Sequence, residues 1–265
     1  MPGRPRRLIV PVPGPVGPGR LRQVAVTRLG AALLAAGDLV LPRTCGGCDR
    51  PGSTLCQGCR AGVAELALPV GPVSPRPVPP GWPGCHGTVR YAGVTARLAR
   101  AFKDEDRRDL VDPLGRLLAD AVARAVTPGP AEEVLLVPVP SSPAAIRRRG
   151  DQPTLLLARR AARLLGPRFH VRPALRMARG TADQAGLDRE ARLRNLADAM
   201  VVPRPAGVRG RRCVLVDDVL TSGATLTEGR RSLLAAGAGG VELAVAMVTA
   251  RRSPGVGLPF ARRYD

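Results

Sequence analysis

Aromatic residues and long apolar runs are scarce in this 265-residue chain. Only six residues are aromatic, so any hydrophobic core must be aliphatic and built from leucine, valine and alanine. The apolar stretch LGAALLAAG, which follows Arg28, is too short to span a bilayer. Proline and glycine interrupt residues 1–20 too often for the apolar region of a secretory signal. We therefore predict a cytoplasmic protein with no membrane insertion.

Lysine is also nearly absent, because Lys103 is the only lysine and the other 40 basic residues are arginine. The chain is rich in alanine, glycine and proline as well, which indicates a GC-rich coding bias behind part of the arginine count. The formal net charge is +20, and +14 remains once the seven arginines and one acid of residues 1–43 are set aside. This balance favours polyanionic partners, from phosphorylated metabolites to nucleic acid, without choosing between them.

The composition changes along the chain and divides it into segments. We predict a disordered Pro/Gly/Arg tail at 1–20, a helix and a cysteine module at 21–67, a proline-rich linker at 68–87, an α/β domain at 88–252 and a C-terminal tail at 253–265. In the α/β domain, strand-like apolar runs alternate with amphipathic helical patterns. Such an order predicts a parallel sheet with helices on both faces.

The elements of this domain are predicted from the periodicity of apolar residues. The predicted strands are 134–140, 212–218 and 241–248, and the predicted helices are 97–126, 152–166 and 225–238. We expect an interruption of the first helix near Pro113, since proline is unfavourable inside a helix.

Residues 214–226, VLVDDVLTSGATL, are the most informative stretch. An apolar strand runs into two adjacent carboxylates, Asp217 and Asp218, and a turn rich in hydroxyl groups then opens a helix. Ligands of parallel sheets bind at the carboxyl ends of the strands. The unpaired N–H groups and the dipole of a helix N-terminus suit phosphate there. The residues predicted to hold the phosphate are Thr221, Ser222, Gly223, Ala224 and Thr225.

The acidic pair lies just before this turn and has the wrong charge to bind phosphate itself. It is placed to accept hydrogen bonds from the vicinal hydroxyls of a sugar, so the predicted ligand is a ribose 5-phosphate. The alternative is that Asp217 and Asp218 only cap the helix. One acid would suffice for a cap, and two adjacent carboxylates repel each other and resist desolvation.

Four cysteines form the pattern CxxC-x7-CxxC, namely Cys45, Cys48, Cys56 and Cys59. Two close pairs of thiolates suit tetrahedral zinc, and four protein ligands leave no open position for catalysis. We therefore predict a structural zinc site, the alternatives being a redox pair or idle thiols. Cys85 and His86 alone do not support a second metal site.

The stretch 214–226 resembles the phosphoribosyl pyrophosphate (PRPP) loop of type I phosphoribosyltransferases. Four further blocks occur in the order of the ComF family of competence-associated proteins, namely LPRTCGGC with LCQGC, AFKDEDRRDL, VPVPSSPAAIRRRGDQ and RGTADQAGLDREARLRNL. The resemblance covers residues from about 40 to 250. It implies a type I phosphoribosyltransferase fold, in which helices flank a parallel sheet, with a small N-terminal zinc-finger-like module of four cysteines. It also implies PRPP as ligand, with Mg²⁺ bridging its diphosphate and sugar hydroxyls.

The resemblance further assigns residue roles. It implies catalytic roles for Asp217, Asp218, Lys103 and Arg192, and it places Ser141 and Ser142 in a pyrophosphate-binding turn. A compact ammonium is not interchangeable with guanidinium, which favours a function for Lys103 in a chain that otherwise uses arginine. The alternative is a surface lysine beside two acids. Arg147 is equally consistent with binding the diphosphate and with a solvated loop.

The resemblance also bears on residues 179–195 and 149–152. Gln184, Arg192 and Asn195 match the family pattern in residues 179–195, which suit a lid that excludes water from the substrate. The alternative is an exposed charged hairpin. The usual Arg-Gly-Phe-Asn-Gln of the family is replaced by RGDQ at 149–152, and Asp151 is expected to cap the following helix.

Two functions of different class remain. The first is a phosphoribosyltransferase with an unknown acceptor. The second is a non-catalytic accessory of DNA uptake that binds single-stranded DNA and partner proteins of the competence machinery. The scarcity of aromatic residues disfavours base stacking, so DNA contact would run from arginine to phosphate and depend strongly on salt.

Overall fold

The computed structural model describes residues 44–126, 129, 132–178, 199–204 and 206–249. The helix predicted within 21–40, both predicted tails and the predicted lid at 179–195 lie outside the described residues. Among the described helices, none combines the length and the apolar character needed to cross a membrane.

The described part of the chain contains alternating helices and strands. The helices are α1 (Gln57–Glu65), α2 (Gly93–Asp104), α3 (Val111–Ala125), α4 (Pro143–Arg149), α5 (Pro153–Leu165) and α6 (Ala224–Ala235), with a 3₁₀ turn at Arg108–Leu110. The strands are β1 (Pro72–Val73), β2 (Cys85–Arg90), β3 (Val134–Pro138), β4 (Phe169–Val171), β5 (Arg176–Met177), β6 (Met200–Val201), β7 (Arg212–Leu220) and β8 (Gly240–Val248).

Six strands form one sheet in the order β1-β2-β8-β7-β3-β4. All neighbouring pairs are parallel except β1 with β2, which is antiparallel at the edge. The carboxyl ends of β3 and β7 are adjacent in this sheet, because Pro138 lies opposite Val216. The loops that follow the two strands therefore emerge side by side. Strands β5 and β6 form a separate antiparallel pair.

Both faces of the sheet are covered by aliphatic side chains, as the shortage of aromatics requires. Along β7, Val214 and Val216 belong to the core shared with α2, α3 and α5, whereas Cys213 and Leu215 belong to the core shared with α6. This alternation is the period of two that a strand buried on both faces must have. The middle of β7 is therefore apolar, and its polar groups lie toward its two ends.

The predicted α/β architecture and its three strands are confirmed, with small shifts of the ends. The break in the first predicted helix lies between α2 and α3 and not at Pro113, which sits in the first turn of α3. Proline is tolerated there because the first N–H groups of a helix have no intrahelical partner.

The segment predicted as a linker, 68–87, contains strand residues in the structure. Pro72 and Val73 pair with His86 and Cys85, and the Leu68 N–H donates to the Thr88 carbonyl at 2.8 Å. Proline fits β1 because an edge strand leaves one row of backbone groups without ladder partners. This segment is therefore attached to the sheet near both of its ends.

Candidate active site

The acidic pair lies at the carboxyl end of the central strand β7, at a cavity of about 280 Å³. Asp217 is half-buried and Asp218 is buried. The cavity is lined by Lys103, Val139, Pro140, Ser141, Arg149, Pro153, Thr154, Asp217, Asp218, Val219 and Thr221. Residues predicted from three separate blocks of sequence thus meet at one edge of the sheet.

Lys103 forms an ion pair with Asp218 inside this cavity. Burial alone would lower the pKa of Lys103, but the charges of Asp218 and Asp217 and a hydrogen bond to Asp218 raise it instead. The ammonium therefore stays protonated and offsets the charge of the acidic pair. Of the two readings of Lys103 in the sequence, a surface lysine beside Asp104 and Glu105 does not describe this placement.

Asp217 occupies a different electrostatic environment from its neighbour. Its Oδ1 accepts the Asp218 N–H at 2.8 Å and lies 3.4 Å from the Thr154 hydroxyl. Burial and the adjacent Asp218 charge raise the pKa of Asp217 to about 8, although Lys103 opposes the shift. Asp217 therefore holds a proton more tightly than a free aspartate does, and the ammonium of Lys103 reduces the repulsion between the two acids.

This raised pKa predicts a pH dependence of stability. Since the pKa is about 8 in the folded chain against 3.8 for a free side chain, the folded state holds an extra proton between these values. The stabilisation that this bound proton gives the folded state is fully present below pH 3.8 and is lost as pH rises through about 8. As pH rises through this range, the free energy of unfolding of the wild type should fall relative to that of Asp217→Asn, by at most about 1.4 kcal/mol per pH unit. Urea denaturation of both proteins across this range measures the difference, and parallel pH profiles would contradict the prediction.

The turn after β7, residues 221–223, opens helix α6 and is called the anion turn below. Gly223 precedes the helix with φ of +76°, a left-handed conformation that favours glycine. The Ser222 hydroxyl accepts the Ala224 N–H at 3.4 Å, and Thr221 is exposed at the cavity. Thr225 is half-buried in the first helical turn. Of the five residues predicted to hold the phosphate, Thr221 is the one that lines this cavity; the other four continue from it into the first turn of α6, whose N–H groups suit a phosphate.

A second turn, after β3, meets the anion turn at the same edge. Ser142 caps α4 by accepting the Ala145 N–H at 3.2 Å, and Pro143 follows it. Ser141 lines the cavity, whereas the hydroxyl of Ser142 is engaged as the cap. Arg147 is exposed and is not among the lining residues, while Arg149 is. Arg149 is thus the arginine of this block that reaches the candidate site.

Comparisons with known proteins show the family to which the chain belongs. A family model for the phosphoribosyl transferase domain matches residues 155–256. The DNA utilization protein YhgH of Escherichia coli K12 is 32% identical over 211 residues, which cover 79% of this chain and 91% of the relative. The protein of the same name from Salmonella typhi is 32% identical over 192 residues, 72% of this chain and 82% of the relative. The chain belongs to the ComF family.

The fold of this ComF protein is the type I phosphoribosyltransferase fold. Among solved structures, hypoxanthine phosphoribosyltransferase from Trypanosoma cruzi is 14% identical, with a TM-score of 0.31 over 61% of this chain and 76% of that chain. The family pattern residues Gln184, Arg192 and Asn195 lie outside the described residues, and their roles remain predictions.

The four cysteines of the ComF module form a compact cluster. Their Sγ atoms all lie within 4.8 Å of one another, and the Sγ atoms of Cys48 and Cys56 are 3.7 Å apart. Four sulfurs at Zn–S distances of about 2.3 Å in a tetrahedron would be separated by about 3.8 Å. The cluster therefore fits a four-coordinate zinc ion, and within the described part of the chain it is the one such group of His, Cys, Asp and Glu.

The backbone around the cluster supports thiolates. Although burial raises the pKa of Cys45, N–H groups of Cys56, Gly47 and Cys48 lower it to about 6. Burial and neighbouring thiols raise the pKa of Cys59. The opposite shifts follow from crowding, because four sulfurs this close cannot all be ionised without a cation among them.

The module is packed on the α/β part of the protein. Cys45 is fully buried in the core that also contains Leu98 of α2 and Leu110. A methyl group added to Gly46 would lie 2.9 Å from Leu110, and one added to Gly47 would lie 2.7 Å from the Cys59 sulfur. The glycines of the cysteine motif therefore allow close approach both within the module and to its neighbour.

Sequence reasoning missed several residues that shape the site. Thr154 contacts Asp217, and Arg149 lines the cavity, yet neither stood out from neighbouring hydroxyl or arginine residues. The capping role expected for Asp151 is wrong, because Gln152 precedes α5 and makes no side-chain cap. Asp151 instead pairs with Arg108 at 2.5 Å, and Arg108 lies 5.7 Å from the Phe102 ring centre.

Two further cavities border the described residues. One of about 400 Å³ is lined by Lys103, Asp104, Asp106, Arg108, Arg148 and Arg149, and so shares Lys103 and Arg149 with the site. A larger one of about 610 Å³ lies between residues 200–209 and the C-terminal half of α6. It contains none of the predicted site residues, so size alone does not identify the chemistry.

Proposed function

We propose that the chain binds PRPP together with Mg²⁺ and transfers its phosphoribosyl group to an acceptor. The observation that carries the proposal is the single cavity in which Asp217, Asp218, Lys103, Ser141 and Thr221 meet. The two carboxylates can accept hydrogen bonds from ribose hydroxyls, and the ammonium balances their charge. The anion turn beside them suits the phosphate of a ribose 5-phosphate that bears a diphosphate.

The acidic pair would hold the ribose. Asp217 and Asp218 accept hydrogen bonds from the 2′- and 3′-hydroxyls, and the charge-assisted geometry makes such bonds stronger than neutral ones. Lys103 pairs with Asp218 in its buried position. Proton loss from Asp217, whose pKa is about 8, would accompany tight binding of the sugar.

The two turns would hold the phosphates. The anion turn and the first N–H groups of α6 would receive the 5-phosphate, and the turn at 141–142, whose Ser141 lines the same cavity, would receive the diphosphate. Arg149 adds a guanidinium at that side, since it lines both this cavity and the adjoining one. In the transfer, the bond from the anomeric carbon to diphosphate breaks, the electron pair leaves with pyrophosphate, and the acceptor atom bonds to the same carbon.

The residues fit Mg²⁺ in a limited way. Carboxylate oxygens are ligands that Mg²⁺ prefers, but Lys103 already neutralises Asp218. The ion would therefore be held chiefly by the ligand's own oxygens, with Asp217 as the carboxylate outside the Lys103 ion pair. Bound there, it would supply neutralisation of the charge on the leaving diphosphate.

Calorimetric titration with PRPP tests the proposal. The wild-type chain should bind PRPP saturably with Mg²⁺, more weakly with a chelator, and should bind ribose 5-phosphate with lower affinity. Absence of heat with PRPP at concentrations up to about 1 mM would overturn it, since this corresponds to less than about 4 kcal/mol of binding free energy. The variants that assign the site are given in the Discussion.

A second candidate function is binding of single-stranded DNA. It is favoured by exposed guanidinium groups, Arg147 and Arg148 on α4 and Arg159 and Arg163 one turn apart on α5. The relatives named above are DNA utilization proteins. If four arginines contact phosphates, affinity should fall by about 50-fold between 50 and 200 mM salt. Fluorescence anisotropy of a labelled oligonucleotide measures this, and a flat salt response would exclude the mode.

A further inference from the structure

The proline-rich segment between β1 and β2, residues 74–84, is a closed loop that we call the strap. Its ends are fixed because Val73 pairs with Cys85 in the sheet. Its interior is fixed by Trp82, whose N–H donates to the Pro79 carbonyl at 3.2 Å and whose indole Nε1 donates to the Val73 carbonyl at 3.3 Å. The strap is therefore held at both ends and across its middle.

The strap lies directly against the anion turn. A methyl group added to Gly223 would lie 2.9 Å from Pro75 Cγ and 2.9 Å from Trp82 Cζ3. Pro75 is buried, Trp82 is half-buried, and Gly223 itself is buried. Two rings from a distant part of the chain therefore occupy the space in which a side chain at Gly223 would lie.

The contact with the strap restricts the conformational freedom of the anion turn. Glycine reaches the left-handed conformation at no steric cost, but it also visits many others, so a glycine turn does not hold its own shape. Helix α6 can offer N–H groups to a phosphate only while Gly223 keeps its φ of +76°. Rings packed on the turn at Gly223 remove the space that other conformations would need.

We propose that Pro75 and Trp82 are positioning residues that hold the anion turn in the conformation that binds a 5-phosphate. This inference rests on the proposed function and deepens it by assigning a role to a segment outside the phosphoribosyltransferase motifs. It predicts that the strap contributes to affinity for the phosphate end of the ligand without touching the acidic pair.

Trp82 also provides a spectroscopic readout. It is the only tryptophan in the chain, so all intrinsic tryptophan emission comes from the strap. Its ring edge contacts Gly223, whose peptide groups would be next to the bound phosphate. Binding of PRPP with Mg²⁺ should therefore change this emission saturably, with the dissociation constant that calorimetry gives for the same protein.

The experiment compares Trp82→Ala, Trp82→Phe and Pro75→Ala with the wild type by calorimetry. Trp82→Ala and Pro75→Ala should each raise the dissociation constant for PRPP by about tenfold, because the turn must then be ordered on binding. The dissociation constant for ribose 5-phosphate should rise by the same factor, since the two ligands share the 5-phosphate. Trp82→Phe should restore affinity to within about threefold. Val78→Ala, an exposed position of the same strap, is the control and should bind as the wild type.

The outcomes separate the inference from the proposed function. Wild-type binding of PRPP that Trp82→Ala and Pro75→Ala leave unchanged, with no change in Trp82 emission, overturns the strap's role and leaves the proposed function intact. Loss of thermal stability without loss of affinity overturns it as well. No binding of PRPP to the wild-type chain overturns the proposed function and the inference with it.

Discussion

Replacing Asp217 and Asp218 together by asparagine should abolish measurable binding of PRPP with Mg²⁺. Each carboxylate that accepts a sugar hydroxyl contributes about 1.5–3 kcal/mol through a charge-assisted hydrogen bond. Loss of both corresponds to about 3–6 kcal/mol, so calorimetry should show a dissociation constant at least about 100-fold higher. Asparagine keeps the size of each side chain, but it removes the negative charge and replaces one acceptor oxygen by an NH₂ donor.

The controls for this variant follow from the ion pair. Asp218→Asn leaves the partly buried Lys103 without its partner, so the double variant must be checked for thermal stability. The single variant Asp217→Asn keeps that pair and should fold like the wild type while losing a part of the affinity. Asp120→Asn, an exposed acid on α3, makes the same charge change away from the cavity. Tight binding by a folded double variant would remove the acidic pair from the site.

Purified protein should contain one zinc ion per chain, and Cys48→Ser should lose it with a large fall in stability. Cys48 is exposed, so replacing its sulfur disturbs little packing and isolates the contribution of the metal. Binding of structural zinc is itself folding free energy. If about 3–5 kcal/mol is lost, the melting temperature should fall by about 10 °C for a domain of this size.

Elemental analysis and thermal denaturation measure the two effects. Cys213→Ala is the matched control, since Cys213 is buried in β7 outside the cluster and the variant should keep its zinc. Treating the wild type with a chelator should lower its melting temperature as Cys48→Ser does. The same treatment should leave the melting temperature of Cys48→Ser unchanged. A wild-type protein that is free of metal and equally stable would show that the cysteines are idle thiols.

The core elements of the fold could be predicted from local pattern. The apolar run of 212–218 identifies β7, since a strand buried on both faces must be apolar throughout. The acids at the end of that run and the glycine in the next turn predict an anion site, and its ligand stays a prediction. Strand β2 was missed because CHGTVR follows a proline-rich stretch and becomes a strand only by pairing with β8.

The contacts between separate blocks were not predictable in the same way. The partner of Asp151 is Arg108 and not the helix that it precedes, and the sequence offers several arginines of equal standing. Thr154 reaches Asp217 across 63 residues of chain. Such pairings depend on how α2, α5 and β7 pack together.

The sequence by itself determined an α/β order of elements, an acidic pair before a glycine-containing turn and four cysteines in zinc spacing, and its motifs resemble those of the ComF family. Periodicity and spacing suffice for the elements and the cysteine pattern, because each is formed within a few residues of backbone. Only the tertiary structure decided that Lys103 pairs with Asp218, that Arg149 reaches the cavity and that Trp82 rests on Gly223. These contacts join distant segments, and their partners are selected by the packing of the whole core rather than by any local preference of the chain.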